Sequence, residues 1–147
     1  MNGDILFLAH RQPFPPNRGD SIRSWNILKA LAKLGPVHLV SFGDDDPETR
    51  HALEQVCASV HLIRNQRSKT SAMAAALVSG RPASVEMFRS TAFAHAVDEV
   101  IGSRDIAAVY AFSGQMGQYV STLPRSVRFI MDFTDVDSEK FASTLGG

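Results

Sequence analysis

Short apolar runs alternate with amphipathic segments along the chain, and this alternation constrains the fold more than any other feature of the sequence. Continuous apolar runs between polar residues are typical of parallel strands that are covered on both faces. Because helical segments separate the runs, the sequence predicts an α/β fold, with a doubly wound, Rossmann-like parallel sheet flanked by helices. The predicted strands are 5–9, 37–42, 60–63, 106–112 and 127–131.

The helices between these strands are predicted from apolar spacing and from residues that start or stop a helix. Asp20 or Ser21 is predicted to cap the first helix, which ends at Gly35-Pro36. Its predicted buried face carries Ile22, Trp25, Leu28 and Leu31. The sequence Asp46-Pro47-Glu48 starts the second helix with a cap, a proline and an acid in the first turn. Further helices are predicted at 69–79, 91–101, 114–123 and 135–145.

Length, charge and cysteine content exclude several classes of protein. The 147 residues make one domain, 1–147, with room for a single core. Fifteen Lys and Arg balance fifteen Asp and Glu, so no overall basic field marks a nucleic-acid-binding protein, and no nucleic-acid partner is expected. The single cysteine, Cys57, excludes an internal disulfide, and the apolar run 5–9 is too short for a signal sequence or a membrane span. We therefore expect a cytoplasmic protein.

Polar residues and glycines gather where the predicted strands end. In a doubly wound sheet, ligands bind outside the carboxyl ends of the strands. We therefore expect the tips of the first and the last strand to lie side by side and to form half of a cleft. The segments predicted to meet there are 10–21, 42–46, 112–118 and 132–138.

The loop 10–20 after the first strand is the most informative of these segments. Its prolines restrict the backbone, whereas Gly19 lets a ligand approach closely. Backbone amides near Gly19, at a helix N-terminus, suit a phosphate or a sugar hydroxyl. His10, at the end of the first strand, is the histidine best placed to meet a ligand. A plain loop with a capping aspartate is the alternative, and the loop contains neither G-x-G-x-x-G nor a Walker motif.

A cluster of acidic residues follows the last predicted strand. Asp132 stands where that strand leaves the sheet, the position from which a doubly wound enzyme presents a polar group to its substrate. Asp135 and Asp137 form the D-x-D pattern with which some sugar transferases and phosphatases hold a divalent ion. Helix capping is the competing interpretation for Asp135, Asp137 and Glu139.

Basic residues and an apolar helix lie close together in the sequence between His61 and Arg89. Five Lys and Arg stand there against the single acid Glu86, and the apolar run 72–78 lies between them. An apolar helix with basic flanks fits the surface of an anionic membrane or a lipid-linked substrate. An internal amphipathic helix with solvated flanks is the alternative.

Several stretches of the chain carry a resemblance to a known family, and together they span nearly its whole length. They are 5–11, 13–24, 80–82, 116–120 and 131–138. With these stretches the chain resembles the N-terminal domain of a family-4-type glycosyltransferase with the GT-B fold. Within that resemblance, it is more similar to the sugar transferases associated with exosortase (PEP-CTERM) and exopolysaccharide systems.

The resemblance implies a two-domain enzyme that transfers a sugar from a nucleoside diphosphate sugar with retention of the anomeric configuration. This chain would bind a saccharide or lipid-linked acceptor, and a C-terminal domain absent from this sequence would bind most of the nucleotide-sugar donor. The implied enzyme needs no metal or other cofactor, which argues against an ion at the D-x-D pattern. It would act in the cytoplasm, with a peripheral contact to the inner face of the cell membrane, in exopolysaccharide or cell-surface glycan synthesis. We expect the chain alone to be inactive.

The resemblance also gives expectations for individual residues. It places Gly19, with its neighbours Arg18 and Asp20, beside the donor phosphates and the acceptor. Many family members have a histidine after the last strand of this domain, where this sequence has the segment 132–135 with an aspartate at each end. Asp132 and Asp135 are therefore the catalytic candidates, acting on the acceptor hydroxyl or on the positive charge that develops at the sugar ring. The predicted substrate-binding residues are His10, Arg11, Arg18, Gly19, Asp20, Arg23, Ser113, Gln118 and Asp137.

Two functions of other classes also fit the sequence. A non-catalytic, flavodoxin-like module that binds a ligand or a partner would need no second domain. A metal-dependent phosphatase would bind a divalent ion at Asp135 and Asp137.

Overall fold

A parallel sheet forms the centre of the protein. The computed structural model describes residues 3–64, 69–80, 90–120, 123 and 126–132. In this part of the chain the strands are β1 (Asp4–Ala9), β2 (Val37–Phe42), β3 (Ser59–Ile63), β4 (Ile106–Phe112) and β5 (Arg128–Asp132). Their spatial order is β3-β2-β1-β4-β5, and each neighbouring pair is parallel. The predicted α/β class with a Rossmann-like doubly wound sheet is confirmed.

Helices lie between the strands in the chain, and local caps define where two of them begin. The helices of the described residues are α1 (Gly19–Ala32), α2 (Pro47–Glu54), α3 (Lys69–Ser79), α4 (Thr91–Ser103) and the 3-10 helix Gly114–Tyr119. As predicted, α2 begins with Pro47 after the cap Asp46, whose side chain accepts a hydrogen bond from Thr49 N at 2.9 Å. Ser90 caps α4 in the same way, accepting from Phe93 N at 3.2 Å. Among the described residues, no helix combines the length and the apolarity that crossing a membrane requires.

Helices cover both faces of the sheet, and β1 shows why its sequence is apolar throughout. Successive side chains of a strand point to opposite faces, and the residues of β1 from Ile5 to Ala9 are all buried. One face of β1 packs with α1 and α2 in a cluster that includes Ile5, Phe7, Leu28 and Leu53. The other face packs with α4 and the 3-10 helix in a cluster that includes Leu6, Leu8, Phe93 and Met116. An apolar run without alternation is therefore the expected sequence for this central strand.

A row of hydrogen-bonded polar residues joins three strands at the amino edge of the sheet. His38 of β2 is 1% exposed, and its Nε2 lies 2.7 Å from Asp4 Oδ2 of β1. Its Nδ1 lies 2.7 Å from Ser59 Oγ of β3. A buried polar side chain costs free energy unless its hydrogen bonds are made, so both bonds are needed to keep a histidine inside β2.

The start and the buried face of α1 differ from the prediction. The helix begins directly after Arg18, which caps it without a side-chain bond, so the predicted caps Asp20 and Ser21 lie inside the first turn. Ile22, predicted to be buried, is 47% exposed. Ser24 Oγ donates to Ser21 O at 3.2 Å, and this bond satisfies a hydroxyl that would otherwise be costly to bury. Leu28 is fully buried as predicted, and Trp25 and Leu31 are partly buried against the same core, so Ser21 and Ser24 take the place of Ile22 on the buried face.

The segment after β4 is a 3-10 helix and not the α-helix predicted for 114–123. Hydrogen bonds of this type join residues three apart, as between Met116 N and Ser113 O at 3.2 Å. Gly117 lies against the end of the Met131 side chain in β5, and a Cβ at Gly117 would overlap that side chain. A side chain at Gly117 would therefore require the flexible end of Met131 to move.

The tips of β1 and β5 lie at the same carboxyl edge of the sheet, but the prediction that they lie side by side is wrong. β4 separates them, because Ala9 pairs with Phe112 and Phe112 pairs with Asp132. A new parallel strand can join a sheet at either side of the first strand, and apolar spacing does not show which side it takes. The helix predicted at 135–145, after β5, lies outside the described residues.

Candidate functional site

An open cleft of about 490 Å³ lies at the carboxyl edge of the sheet. Its walls are the loop after β1, the end of β2 and the residue that follows β3. We call it the β1–β2 cleft, and the residues that line it include His10, Arg11, Gln12, Asn17, Arg18, Gly43, Asp44 and Arg64. Three predicted substrate-binding residues, His10, Arg11 and Arg18, therefore share one cleft.

Gln12 fixes the shape of the cleft by joining two loops. Its Oε1 accepts a hydrogen bond from Asp44 N at 2.7 Å, and its Nε2 donates to Phe14 O at 3.0 Å. Gly43 lies so close that a Cβ there would overlap the Gln12 side chain. Neither Gln12 nor Gly43 is among the predicted site residues. The one local signal is a glycine directly after a strand, which is typical of a close backbone approach.

Asp20 holds two arginines and a histidine of this loop near a single carboxylate. His10 Nε2 lies 3.5 Å and Arg11 Nη1 lies 3.7 Å from Asp20 Oδ2, and Arg18 Nε lies 3.8 Å from Asp20 Oδ1. The Asp20 side chain is 15% exposed, against 40% for Arg11 and 63% for Arg18. The carboxylate is thus mostly buried, while both guanidinium groups reach solvent.

His10 is buried between the cleft and the sheet. It is 6% exposed, and its ring stacks on Phe112 with centroids 6.0 Å apart and 4° between the planes. Nδ1 lies 3.4 Å from Phe112 O, and a carbonyl oxygen only accepts, so this contact favours the tautomer with the proton on Nδ1. The carboxylate of Asp20 lies near the other ring nitrogen. An imidazole oriented in this way can bind a hydroxyl or transfer its proton.

Asp132 lies in a second group of side chains, which we call the Asp132 cluster: Tyr110, Arg23, Ser113 and Asp132. Asp132 Oδ2 accepts a hydrogen bond from Tyr110 OH at 2.7 Å and lies 2.6 Å from Arg23 Nη2. Burial, together with the bond to Asp132, raises the pKa of Tyr110, so its hydroxyl keeps its proton and remains a donor. Two short contacts of this kind fix the position of the carboxylate, which is not on the wall of the β1–β2 cleft.

The backbone after β4 also belongs to the Asp132 cluster. Ser113 is 1% exposed, has a φ of 96° and donates its N–H to Asp132 O at 3.1 Å. A positive φ is uncommon for a residue with a side chain and indicates a backbone held by its surroundings. Phe112 contacts both His10 and Arg23, so it joins the cluster to the β1–β2 cleft. Gln118, also predicted to bind substrate, lies half-buried in the 3-10 helix after Ser113.

Gly19 is the exposed first residue of α1. A Cβ there would meet no atom of the described residues within 4 Å. No contact with that part of the chain requires a glycine at this position. In the described part of the chain, the space next to Gly19 is therefore open to a ligand.

Asp135 and Asp137, the D-x-D pair, lie outside the described residues. Their predicted roles, catalysis for Asp135 and substrate binding for Asp137, stay predictions. Within the ranges that the structure describes, no group of three or more His, Cys, Asp or Glu residues could hold a metal ion.

Helix α3 exposes its large apolar side chains. Met73 is 61%, Leu77 is 88% and Val78 is 90% exposed. An internal amphipathic helix would bury such residues, so the structure does not support that alternative for this segment. The apolar surface of α3, formed by Met73, Leu77 and Val78, is open to a partner.

Comparisons of the chain with models of protein families, with curated proteins and with solved structures give no match. The resemblance therefore depends on the sequence stretches quoted above.

Proposed function

We propose that this chain is the acceptor-side, N-terminal domain of a retaining glycosyltransferase that acts in exopolysaccharide or cell-surface glycan synthesis. The observation that carries the proposal is the β1–β2 cleft, an open cavity at the carboxyl edge of a Rossmann-like sheet. Its volume of about 490 Å³ falls in the range of small-molecule sites. The loop after β1, which forms one wall, is also the most extensive of the stretches that resemble the family.

The polar groups of the cleft suit a ligand rich in hydroxyl groups. Asn17 offers an amide, Asp44 a carboxylate and Arg18 a guanidinium, so the lining contains both donors and acceptors. A sugar needs both kinds of partner because each hydroxyl donates one hydrogen bond and accepts others. The cleft is open on one side, which leaves room for an acceptor longer than a single sugar.

Sugar transfer would place positive charge on the sugar ring and negative charge on the departing phosphate. Preorganised amides and cations stabilise such charges without reorganising during the reaction. In this proposal the backbone amides at Gly19, the first residue of α1, face the donor phosphates. Asp132, held in place by Tyr110 and Arg23, is assigned to the developing positive charge, and its engaged Oδ2 makes it a weaker candidate for proton transfer.

The proposed enzyme works in the cytoplasm and contacts the inner face of the membrane through α3. Leu77 and Val78 are almost fully exposed. The sequence contains no Asp or Glu between Glu54 and Glu86, whereas five Lys and Arg fall within that interval and just after it. An apolar helix in a basic, acid-free stretch of the sequence is the combination that anionic lipid attracts.

Turnover of the full-length enzyme, which joins this chain to its proposed donor-binding domain, tests the proposal. We expect transfer of a sugar from a nucleoside diphosphate sugar to a saccharide or lipid-linked acceptor. Gly19→Val should lower this turnover about tenfold or more, because the added side chain fills the space through which the donor phosphates approach. The melting temperature should stay nearly unchanged, since a Cβ at Gly19 meets no described atom.

Gly102→Val is the matched control. Gly102 is also an exposed glycine of a helix, α4, and a Cβ there likewise meets nothing within 4 Å. It precedes the first residue of β4 and so lies at the opposite edge of the sheet. Equal turnover of both variants would remove the role of Gly19. Sugar transfer by residues 1–147 alone would contradict the domain assignment, and a non-catalytic binding module would show no consumption of donor.

A further inference from the structure

Three arginines from different parts of the chain line the β1–β2 cleft. Arg11 and Arg18 come from the loop after β1, and Arg64 directly follows β3. Gly43 N donates to Ile63 O at 3.0 Å, which ties the end of β3, and with it Arg64, to the loop after β2. Asp44 is the one carboxylate among the lining residues, and Asp20 lies 3.7 and 3.8 Å from Arg11 and Arg18, so the three arginines exceed these carboxylates by one positive charge.

The distances to carboxylates show which arginines have donors to offer a ligand. Arg11 and Arg18 lie 3.7 and 3.8 Å from Asp20, which is beyond hydrogen-bond length. Arg64 forms no ion pair with any residue of the described ranges. Arg23, outside the cleft, lies 2.6 Å from Asp132, the length of a strong charge-assisted bond. The cleft arginines are thus loosely paired or lack an ion-pair partner, whereas the neighbouring Arg23 is already engaged.

The number and placement of these arginines favour one class of anion. A phosphate monoester carries a charge of about −1.5 to −2 at neutral pH and three strong acceptor oxygens directed to different sides. A carboxylate carries one charge in one plane, and a single guanidinium fork satisfies it. Three guanidinium groups on two walls of a cleft therefore match the three acceptor oxygens of a phosphate group better than they match a carboxylate.

We propose that the β1–β2 cleft binds the phosphate group of a phosphorylated acceptor through Arg11, Arg18 and Arg64. This inference rests on the proposed sugar transfer and specifies its acceptor as a phosphate-bearing saccharide or a phosphate-linked lipid. The donor diphosphate is the other source of phosphate for a sugar transferase. We assign the bound phosphate to the acceptor because Arg64 and Asp44 extend the cleft toward β3, away from Gly19 and its amides.

Calorimetric titration of the chain with a set of small probes tests the inference. The probes are a hexose phosphate, the corresponding neutral hexose, the corresponding hexuronate and uridine diphosphate. The hexose phosphate should bind most tightly, and the neutral hexose should bind at least about tenfold more weakly because it makes no charge-assisted bonds. Arg64→Gln should weaken binding of the hexose phosphate about tenfold, and Arg64→Lys should have a smaller effect because it keeps the charge.

Arg104→Gln is the control for the loss of one positive charge. Arg104 is exposed and follows α4 at the amino edge of the sheet, so its removal should leave binding unchanged. Equal losses for Arg104→Gln and Arg64→Gln would overturn the inference, because they would show attraction by the overall charge only. Equal affinity for the neutral hexose, or tighter binding of the hexuronate, would overturn it as well. Binding of uridine diphosphate without binding of the hexose phosphate would assign the cleft to the donor and not to the acceptor.

Failure of this inference and failure of the proposed function give different results. If the full-length enzyme transfers sugar to a neutral acceptor and Arg64→Gln leaves that turnover unchanged, the acceptor assignment is wrong while sugar transfer stands. If no sugar is transferred but the hexose phosphate binds and Arg64→Gln abolishes binding, the phosphate site stands and the proposed transferase does not.

Discussion

The contact between Gly43 and Gln12 predicts that Gly43→Ala weakens the fold and deforms the β1–β2 cleft. The new Cβ would lie 2.9 Å from Gln12 Cβ and would overlap the end of the same side chain. Gln12 must then move and lose its bonds to Asp44 N and Phe14 O. Two partly exposed hydrogen bonds contribute about 1–3 kcal/mol together.

Backbone strain adds to this loss. Gly43 has a φ of 158°, a conformation that residues with a side chain rarely adopt, so alanine is strained there in addition to displacing Gln12. We therefore expect a destabilisation of about 2–4 kcal/mol, or a decrease in melting temperature of roughly 5–15 °C for a domain of this size. Urea unfolding followed by circular dichroism measures this free energy directly.

A double-mutant cycle with Gln12→Ala separates the steric effect from any other. Gln12→Ala alone loses the same two hydrogen bonds without strain at Gly43 and should cost about 1–3 kcal/mol. Adding Gly43→Ala to that variant should cost about 1 kcal/mol less than it costs in the wild type, because the overlapping end of Gln12 is gone. Strictly additive costs would refute the reasoning, since they would show that Gln12 and Gly43 do not limit each other.

Three further perturbations have defined outcomes. The hydrogen bond from Thr49 N lowers the pKa of Asp46, so its stabilisation is present at neutral pH and lost as the pH falls through that lowered pKa. Asp46→Ala should therefore lower the urea midpoint at pH 7. The difference in urea midpoint between the variant and the wild type should shrink below about pH 4, and a difference that stays constant with pH would contradict this. Burial raises the pKa of Cys57 to about 12, so iodoacetamide at pH 8 should label the unfolded chain and not the folded one. Rapid labelling of the folded chain would contradict the burial of Cys57. Leu77→Ser with Val78→Ser should reduce sedimentation with anionic vesicles and leave the melting temperature unchanged; unaltered sedimentation would remove α3 as the membrane contact.

The strands could be predicted closely because their burial on both faces leaves a signal that is local in the sequence. β2 and β4 have the predicted bounds, 37–42 and 106–112; β4 is a continuous apolar run, and β2 is apolar except at His38 and Ser41. The order of the strands in the sheet, in contrast, leaves no signal in the local sequence. β4 lies between β1 and β5 in the sheet, and this order depends on packing between residues far apart in the sequence.

The face of α1 shows where hydrophobicity alone misleads. Ile22 is the more apolar residue, yet Ser21 and Ser24 are buried and Ile22 is half exposed. Small residues let the helix approach the sheet, and the bond from Ser24 Oγ to Ser21 O removes the cost of burying a hydroxyl. Neither effect can be predicted from the pattern of hydrophobic residues.

The site could be predicted in part, and the missing part consists of contacts between distant residues. His10, Arg11 and Arg18 share a cleft because they belong to one loop, which the sequence marks with prolines and a glycine. The sequence does not indicate Gln12, because its role depends on a hydrogen bond with Asp44, which lies near it only in the folded chain. Arg23 and Asp132 are both predicted site residues, yet only the structure reveals that they bind each other.

Mapping amide chemical shifts during titration with a hexose phosphate tests most directly whether the carboxyl edge of the sheet binds substrate. The account predicts that the largest changes occur at the β1–β2 cleft, at Arg11, Arg18, Gly43 and Arg64, and that the amino edge around His38 does not respond. Changes centred on His38, or an absence of changes at the cleft while the phosphate binds elsewhere, would contradict it.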